Sequence, residues 1–322
     1  MPISRPAEPQ AAADAPILIT MGEPSGVGPE VAVAAIAAMD GHAGAHPLLL
    51  VGDADVLLAC GAPQNAIEPI AIKAVRKPGI ADSANAPATI AAIDHAVGSA
   101  LKGDAAAIVT APIHKASLMA GGFGFPGHTE YLAHLTRTAR AVMMLSGGGL
   151  RVVPLTIHVP LATVPSLITR ESVSETARII LAALSRDFGV AHPRLAISGI
   201  NPHAGESGAL GREEKDVIGP AADALRAEGF SVIGPLPADT MFHAEARVRY
   251  DAALCMYHDQ ALIPIKTLAF WEGVNITLGL PIVRTSPDHG TALDIAGSGK
   301  ADSRSMVAAI RMAAAMADAR AR

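Results

Sequence analysis

Short apolar runs alternate with longer amphipathic stretches from residue 17 to the C-terminus. A short apolar run bounded by turn residues reads as a buried strand, and apolar positions three and four apart read as a helix. On that basis strands fall at 17–20, 47–52, 66–72 and 106–110, with helices at 31–39, 55–60 and 87–101. Further on, 141–145 and 150–159 flank a Gly-Gly-Gly turn as a hairpin, and 169–188 is a helix with Ser172-x-x-Glu175 as its capping box. Strands at 195–200, 231–233, 252–256 and 274–280 follow, with helices at 213–228 and 303–319. Strands alternating with helices, with few aromatic and many small residues, predict an α/β fold with a largely parallel sheet and helices on both faces.

Composition narrows this picture. Half of the 322 residues are apolar and 17% are charged, which places the chain among folded proteins rather than disordered ones. The formal net charge is −5, and no basic stripe interleaved with aromatics occurs, so nucleic acid is not an expected partner. An anionic ligand would need locally placed cations. No run of apolar residues is long enough to predict a membrane span. The two cysteines, Cys60 and Cys255, sit in apolar contexts without metal spacing and read as reduced thiols of a cytoplasmic protein. Residues 1–16 are rich in Pro and Ala and read as a loose tail.

Candidate chemistry gathers where predicted strands end. The strand at 17–20 runs into GEPSGVGPE, whose glycines permit a tight turn and whose Pro29 suits a first helical position. The strand at 106–110 ends in TAPIHK; His114 and Lys115 read equally as cleft-facing groups or as a solvated pair. His128, Thr129 and Glu130 follow a glycine loop, and Thr129 is placed to cap the next helix with His128 beside its N-terminus. His158, His203 and His258 each follow a buried-looking strand; three imidazoles with open positions suit a catalytic divalent metal. Twelve histidines occur in the chain, so spacing alone does not select these three. Asp259 reads as an outer partner of a metal ligand, as a proton acceptor, or as a turn residue. The segment 255–302 is the densest, with His258, Asp259, Lys266, Asn275 and Arg284 at or near strand ends. In open α/β sheets ligands bind outside the carboxyl ends of strands.

These blocks, YHDQ, IPIK, VNITLGLP, RTS and DHGTA, with GEPSGVGPE, TAPIHK, GHTE, TIH, NPHAGE and GPLPADT upstream, together resemble the 4-hydroxythreonine-4-phosphate dehydrogenase family of vitamin B6 biosynthesis, nearly end to end and in one order. The resemblance implies NAD(P)-dependent oxidation of 4-phosphooxy-L-threonine at C3, followed by decarboxylation to 3-amino-2-oxopropyl phosphate. It implies a divalent metal (Zn, Mg or Co) on His158, His203 and His258. It assigns substrate contacts to His128, Thr129, Lys266, Asn275 and Arg284, and gives Lys266 and Asp259 the catalytic proton transfers. HGTALDIAGSGKAD is similar to the nucleotide loop of isocitrate and isopropylmalate dehydrogenases, which makes His289, Gly290, Thr291 and Asp294 the cofactor contacts; a rigid helix-entry loop is the competing reading. The same likeness implies two lobes, one from 17–130 with 272–322 and one from 131–271, with the active site in the cleft between them. It further implies a homodimer in which His258 completes a site built on the partner's His158 and His203. Glu23 stands where family members usually have Asp, and Ser25 where they often have Ala. Rival expectations are the same chemistry on a phosphorylated sugar acid or a carboxylated cyclic diol, a metal-dependent aldolase or hydrolase, or a silent binding protein.

Overall fold

The computed structural model describes residue 9 and residues 11–322, so most of the tail expected at 1–16 lies outside the described residues. The chain forms two compact units, Met1–Ala141 with Leu280–Arg322, and Val142–Gly279. The boundaries expected at 130/131 and 271/272 fall 11 and 8 residues earlier than these. The helix His128–Leu135 places Tyr131 and Leu132 in the core of the first unit, and Val274–Leu278 pairs along its length with Val142–Gly147 in the second.

The first unit opens with β1 (Ile17–Thr20), β2 (His42–Ala43), β3 (His46–Gly52), β4 (Ile67–Pro69) and β5 (Ala107–Thr110). The second carries β6 (Val142–Gly147), β7 (Leu150–Thr156), β8 (Arg194–Ser198), β9 (Ser231–Leu236), β10 (Ala252–Tyr257) and β11 (Val274–Leu278). The chain then returns to the first unit with β12 (Arg284–Pro287). In the first unit β1 lies between β3 and β5, and β12 adds to β5, all parallel. Every residue of β1 and β5 is buried, as expected for parallel strands covered on both faces. The helix Ala86–Lys102 lays Ala88, Ala92, Ala96 and Ala100 along one face, and these small side chains let it approach the sheet closely. It stops at Gly103, whose φ of 81° is the left-handed conformation that glycine adopts without strain.

In the second unit β7, β10, β8 and β9 are parallel neighbours in that order, while β6 pairs antiparallel with both β7 and β11. This arrangement puts the ends of β7, β10 and β8, which precede the three candidate metal histidines, side by side. Local corrections are instructive. The long helix is Arg170–Phe188, capped by Thr169 with Ser172 as the reciprocal partner, so the capping box sits three residues earlier than expected. A helix not expected from the sequence, His258–Ala269, begins at His258 and runs through Pro264. The expected strand at 66–72 is only the three residues of β4.

Candidate active site

In the first unit, β1 delivers Gly22 and Glu23 into a turn. Gly22 has a φ of 67°, and a Cβ there would collide with the carbonyl of Pro112, so only glycine fits. Glu23 is 2% exposed and accepts from the Ser25 N–H at 3.2 Å. Burial raises its carboxyl pKa, and the nearby His114 opposes that rise. His114 itself caps the helix Lys115–Ala120, its Nδ1 accepting from the Ser117 N–H at 3.3 Å.

Arg284 heads β12 and pairs with Ile108 of β5. It is 3% exposed and donates to Thr110 Oγ1 from Nη2 at 2.6 Å and from Nε at 3.2 Å. Burial lowers its pKa to about 9, so the fold strains against its charge and an anion beside it would relieve that strain. His128 is the first residue of its helix, with Gly127 in the capping position. The expected Thr129 cap is therefore absent: Thr129 lies inside the first turn, because extended Gly127 already begins the helix one residue earlier. His128 Nε2 is fully buried and has no hydrogen-bond partner among the described residues. Burial holds its pKa well below the ordinary range, and the charges of Arg284 and Lys115 push the same way. Arg284, His128, Lys115 and Thr110 thus form one donor-rich group.

The loop at 288–300 is fastened to the glycine turn. Thr291 accepts from the Val27 N–H at 2.9 Å, and a Cβ on Gly26 would come within 2.8 Å of the same carbonyl. Glu30 accepts from the Gly297 N–H at 2.7 Å and pairs with Arg76, which also donates to the carbonyls of Pro24 and Gly26. His289 bonds the Gly290 carbonyl through Nδ1 at 2.9 Å, while its Nε2 is buried without a partner. Asp294 is exposed in the short turn Leu293–Ile295. Arg76 is a residue that the sequence reading missed; it sits in an irregular segment with no motif around it.

In the second unit, the rings of His158 and His258 lie 5.9 Å apart at 43°. They follow β7 and β10, whose pairing of Thr156 with Tyr257 fixes this proximity. The resemblance divided these two histidines between subunits; the structure brings them together in one chain because their strands are neighbours. His258 Nδ1 meets Asp259 Oδ1 at 2.6 Å, which turns Nε2 outward as a ligand-ready nitrogen. Two imidazoles on one metal, with nitrogens about 2.0–2.1 Å from it, set ring centroids roughly 5–6 Å apart. This spacing makes the pair of rings a candidate for two ligands of a divalent metal. His203 does not close it into a full set: among the described residues no group of three His, Cys, Asp or Glu is arranged to hold a metal. Lys266 lies in the last turn of its helix with Nζ 5.8 Å from the Phe270 ring centre. Asn275, inside β11, has its Oδ1 buried and without a partner. Of the few buried polar side-chain atoms left open, those of His128, Asn275 and His289 belong to residues that the sequence assigns to ligands. Buried polar atoms are normally satisfied, so open ones mark places where a bound group completes the bonding.

A largely parallel α/β enzyme with donors and imidazoles gathered at its strand ends is the class that this geometry defines. The pyridoxal phosphate biosynthetic protein PdxA family matches residues 30–313, and the chain belongs to that family. It is 54% identical over 320 residues to the 4-hydroxythreonine-4-phosphate dehydrogenase of Paracoccus denitrificans, an alignment covering 94% of this chain and 98% of the relative. The crystal structure of 4-hydroxythreonine-4-phosphate dehydrogenase from Klebsiella pneumoniae is similar at a TM-score of 0.84 with 37% identity, covering 94% of this chain and 99% of the other. A terephthalate 1,2-cis-dihydrodiol dehydrogenase from Burkholderia xenovorans is similar at a TM-score of 0.67 with 31% identity, covering 94% and 98% of the two chains.

Proposed function

We propose that this chain is a 4-hydroxythreonine-4-phosphate dehydrogenase that acts in pyridoxine phosphate biosynthesis. It oxidises the C3 hydroxyl of 4-phosphooxy-L-threonine, and the resulting β-keto acid loses CO2 to give 3-amino-2-oxopropyl phosphate. The observation that carries this reading is the buried Arg284–Thr110–His128 group with its open His128 Nε2, set at strand ends in a member of this family. Arg284 and His128 bind an anionic group of the substrate, with Thr129 beside them in the first helical turn. Lys266 and Asn275 contact its remaining polar groups. Asp259 orients His258, and Lys266 is the group assigned to the proton transfer from the C3 hydroxyl. NAD+ or NADP+, which the loop of His289, Gly290, Thr291 and Asp294 would hold, would accept the C3 hydrogen as hydride. A divalent metal (Zn2+, Mg2+ or Co2+) on His158, His258 and His203 would make the C3 hydroxyl more acidic and polarise the ketone. The working form is a homodimer, and exposed Ile263, Phe270 and Trp271 near the end of the His258 helix give it apolar surface to cover.

The test is absorbance of reduced nicotinamide with 4-phosphooxy-L-threonine, a phosphorylated sugar acid and a carboxylated cyclic diol offered in parallel. Reduction with the first and not the others supports the proposal. A second reading, oxidation of a carboxylated cyclic diol, takes its support from the likeness to the terephthalate dihydrodiol enzyme. The greater identity to the Klebsiella pneumoniae structure favours the phosphorylated amino acid.

A further inference from the structure

We propose that Gln260 and Glu214 are positioning residues that together brace the His258 turn against the His203 loop. This rests on the reading that both histidines serve the active site. β8 and β10 run parallel, with Leu254 opposite Ile197, and the paired register stops there. Gln260 takes over where the ladder ends. Its Oε1 accepts from the Met256 N–H at 2.7 Å and from Ser198 Oγ at 2.8 Å, and its Nε2 donates to the Gly199 carbonyl at 2.8 Å. One side-chain amide thus ties the residue two places before His258 to the strand that carries His203.

Glu214 continues the same line. It is 4% exposed and opens the π-helix Glu214–Ile218, a rare geometry that is frequent at functional sites. Its Oε1 accepts from the N–H groups of Ile200 at 2.8 Å and Asn201 at 2.7 Å, and its Oε2 accepts from Asn201 Nδ2 at 2.9 Å. The next residues need such an anchor. His203, Ala204, Gly205, Glu206 and Ser207 all have positive φ, between 42° and 78°. Left-handed backbone is unfavourable for each of the four non-glycine residues there, and such residues normally occur singly. A strained run persists only where its surroundings over-determine it. Glu214 also walls the run from inside: a Cβ on Gly205 would lie 2.5 Å from Glu214 Oε2. The structure thus spends several polar contacts on holding a costly turn whose first member is His203.

The experiment compares wild type with Glu214→Gln and Gln260→Met in the full-length protein. Glu214→Gln removes the charge and sets an NH2 against the Asn201 Nδ2 donor; Gln260→Met keeps the volume and removes the polar bridge. The readouts are amide hydrogen exchange across the second unit, the melting temperature, and kcat and KM measured well below melting. The proposal expects faster exchange confined to 199–208, a kcat lower by about 10- to 100-fold, as for loss of outer partners of a site histidine, and little change in KM for the phosphorylated substrate. A purely structural role would lower the melting temperature and leave kcat intact, and that result overturns the proposal. If Glu214→Gln does not fold, Gln260→Met decides alone. A parallel assay of wild type stripped of metal separates the two readings. Full activity without metal removes the metal assignment, while the exchange and kcat data still decide the brace.

Discussion

Arg284 concentrates the argument at the scale of single residues. Burial disfavours the charged form of the Arg284 guanidinium, whose Nη2 donates to the Thr110 hydroxyl. Arg284→Ala should lower kcat/KM by roughly 30- to 5000-fold, the effect of removing one partner of a buried charged contact. Arg284→Lys should recover only part of it, because the ammonium lacks the planar fork. Near-normal kcat/KM for either variant, measured at low substrate, would detach Arg284 from the substrate. His128 makes a separate prediction. Its pKa is held well below the ordinary value near 6.5, so the unfolded chain binds this proton at a higher pH than the folded chain does. Stability is then unaffected above that value and declines as the pH falls below it. Melting curves at stepped pH should show a shallower acid-side decline in His128→Gln than in wild type. Parallel declines would contradict the assignment. His128, Asn275 and His289 were legible in the sequence as ligand residues only through the resemblance. What the sequence could not convey is that each keeps a buried polar atom open. Thr110 lies in the TAPIHK block but was not singled out, and Arg76 has no motif around it; their roles come from residues far along the chain.

Elements were read well where one physical signal dominated. β1, β5 and the helix Ala86–Lys102 follow directly from buried apolar runs and helical spacing. The helix His258–Ala269 went unread because Pro264 interrupts the pattern, and its tertiary contacts override that local cost. The left-handed turn at 203–207 was equally hidden, since only Gly205 within it advertises positive φ. Two substitutions test the element-level account. Asp53 caps the helix Ala54–Ala59, accepting from the Asp55 N–H at 2.8 Å and the Val56 N–H at 3.3 Å, and also takes the Ala74 N–H at 2.8 Å. Asp53→Ala should cost about 2 kcal/mol, read by denaturant unfolding. Gly205→Ala should both destabilise the second unit and depress activity, since φ is 78° and the new Cβ meets the Glu214 carboxylate. An unchanged denaturation midpoint for Gly205→Ala would mean that the turn is not held as described.

For the whole molecule, strand order fixes which histidines can share a site. β7 and β10 are neighbours, so the His158 and His258 rings lie 5.9 Å apart within one chain, and we propose that a metal would take both from the same chain, with His203 from that chain or its partner. Subunit mixing distinguishes these. In a shared site, His203→Ala and His258→Ala chains should regain activity when allowed to exchange, because one site of the mixed dimer collects both defects. A mixture of His158→Ala and His258→Ala should stay inactive, since both losses fall in the same pair. Recovery in the second mixture would restore the division first implied by the resemblance. Two lobes were an expectation carried by the resemblance, and the boundaries of the compact units depend on which sheet and core recruit His128–Leu135 and Val274–Leu278, which only the packing supplies.

The central claim is that this member of the PdxA family oxidises a phosphorylated hydroxy amino acid with a nicotinamide cofactor and a divalent metal. The most direct measurement is the rise of reduced-nicotinamide absorbance on adding 4-phosphooxy-L-threonine, recorded with the protein as purified, after chelation, and after Zn2+, Co2+ or Mg2+ is restored. The account predicts reduction that disappears on chelation and returns with metal, together with release of CO2 and 3-amino-2-oxopropyl phosphate. No nicotinamide reduction by metal-replete protein with this substrate, alongside turnover of a carboxylated cyclic diol, would contradict it.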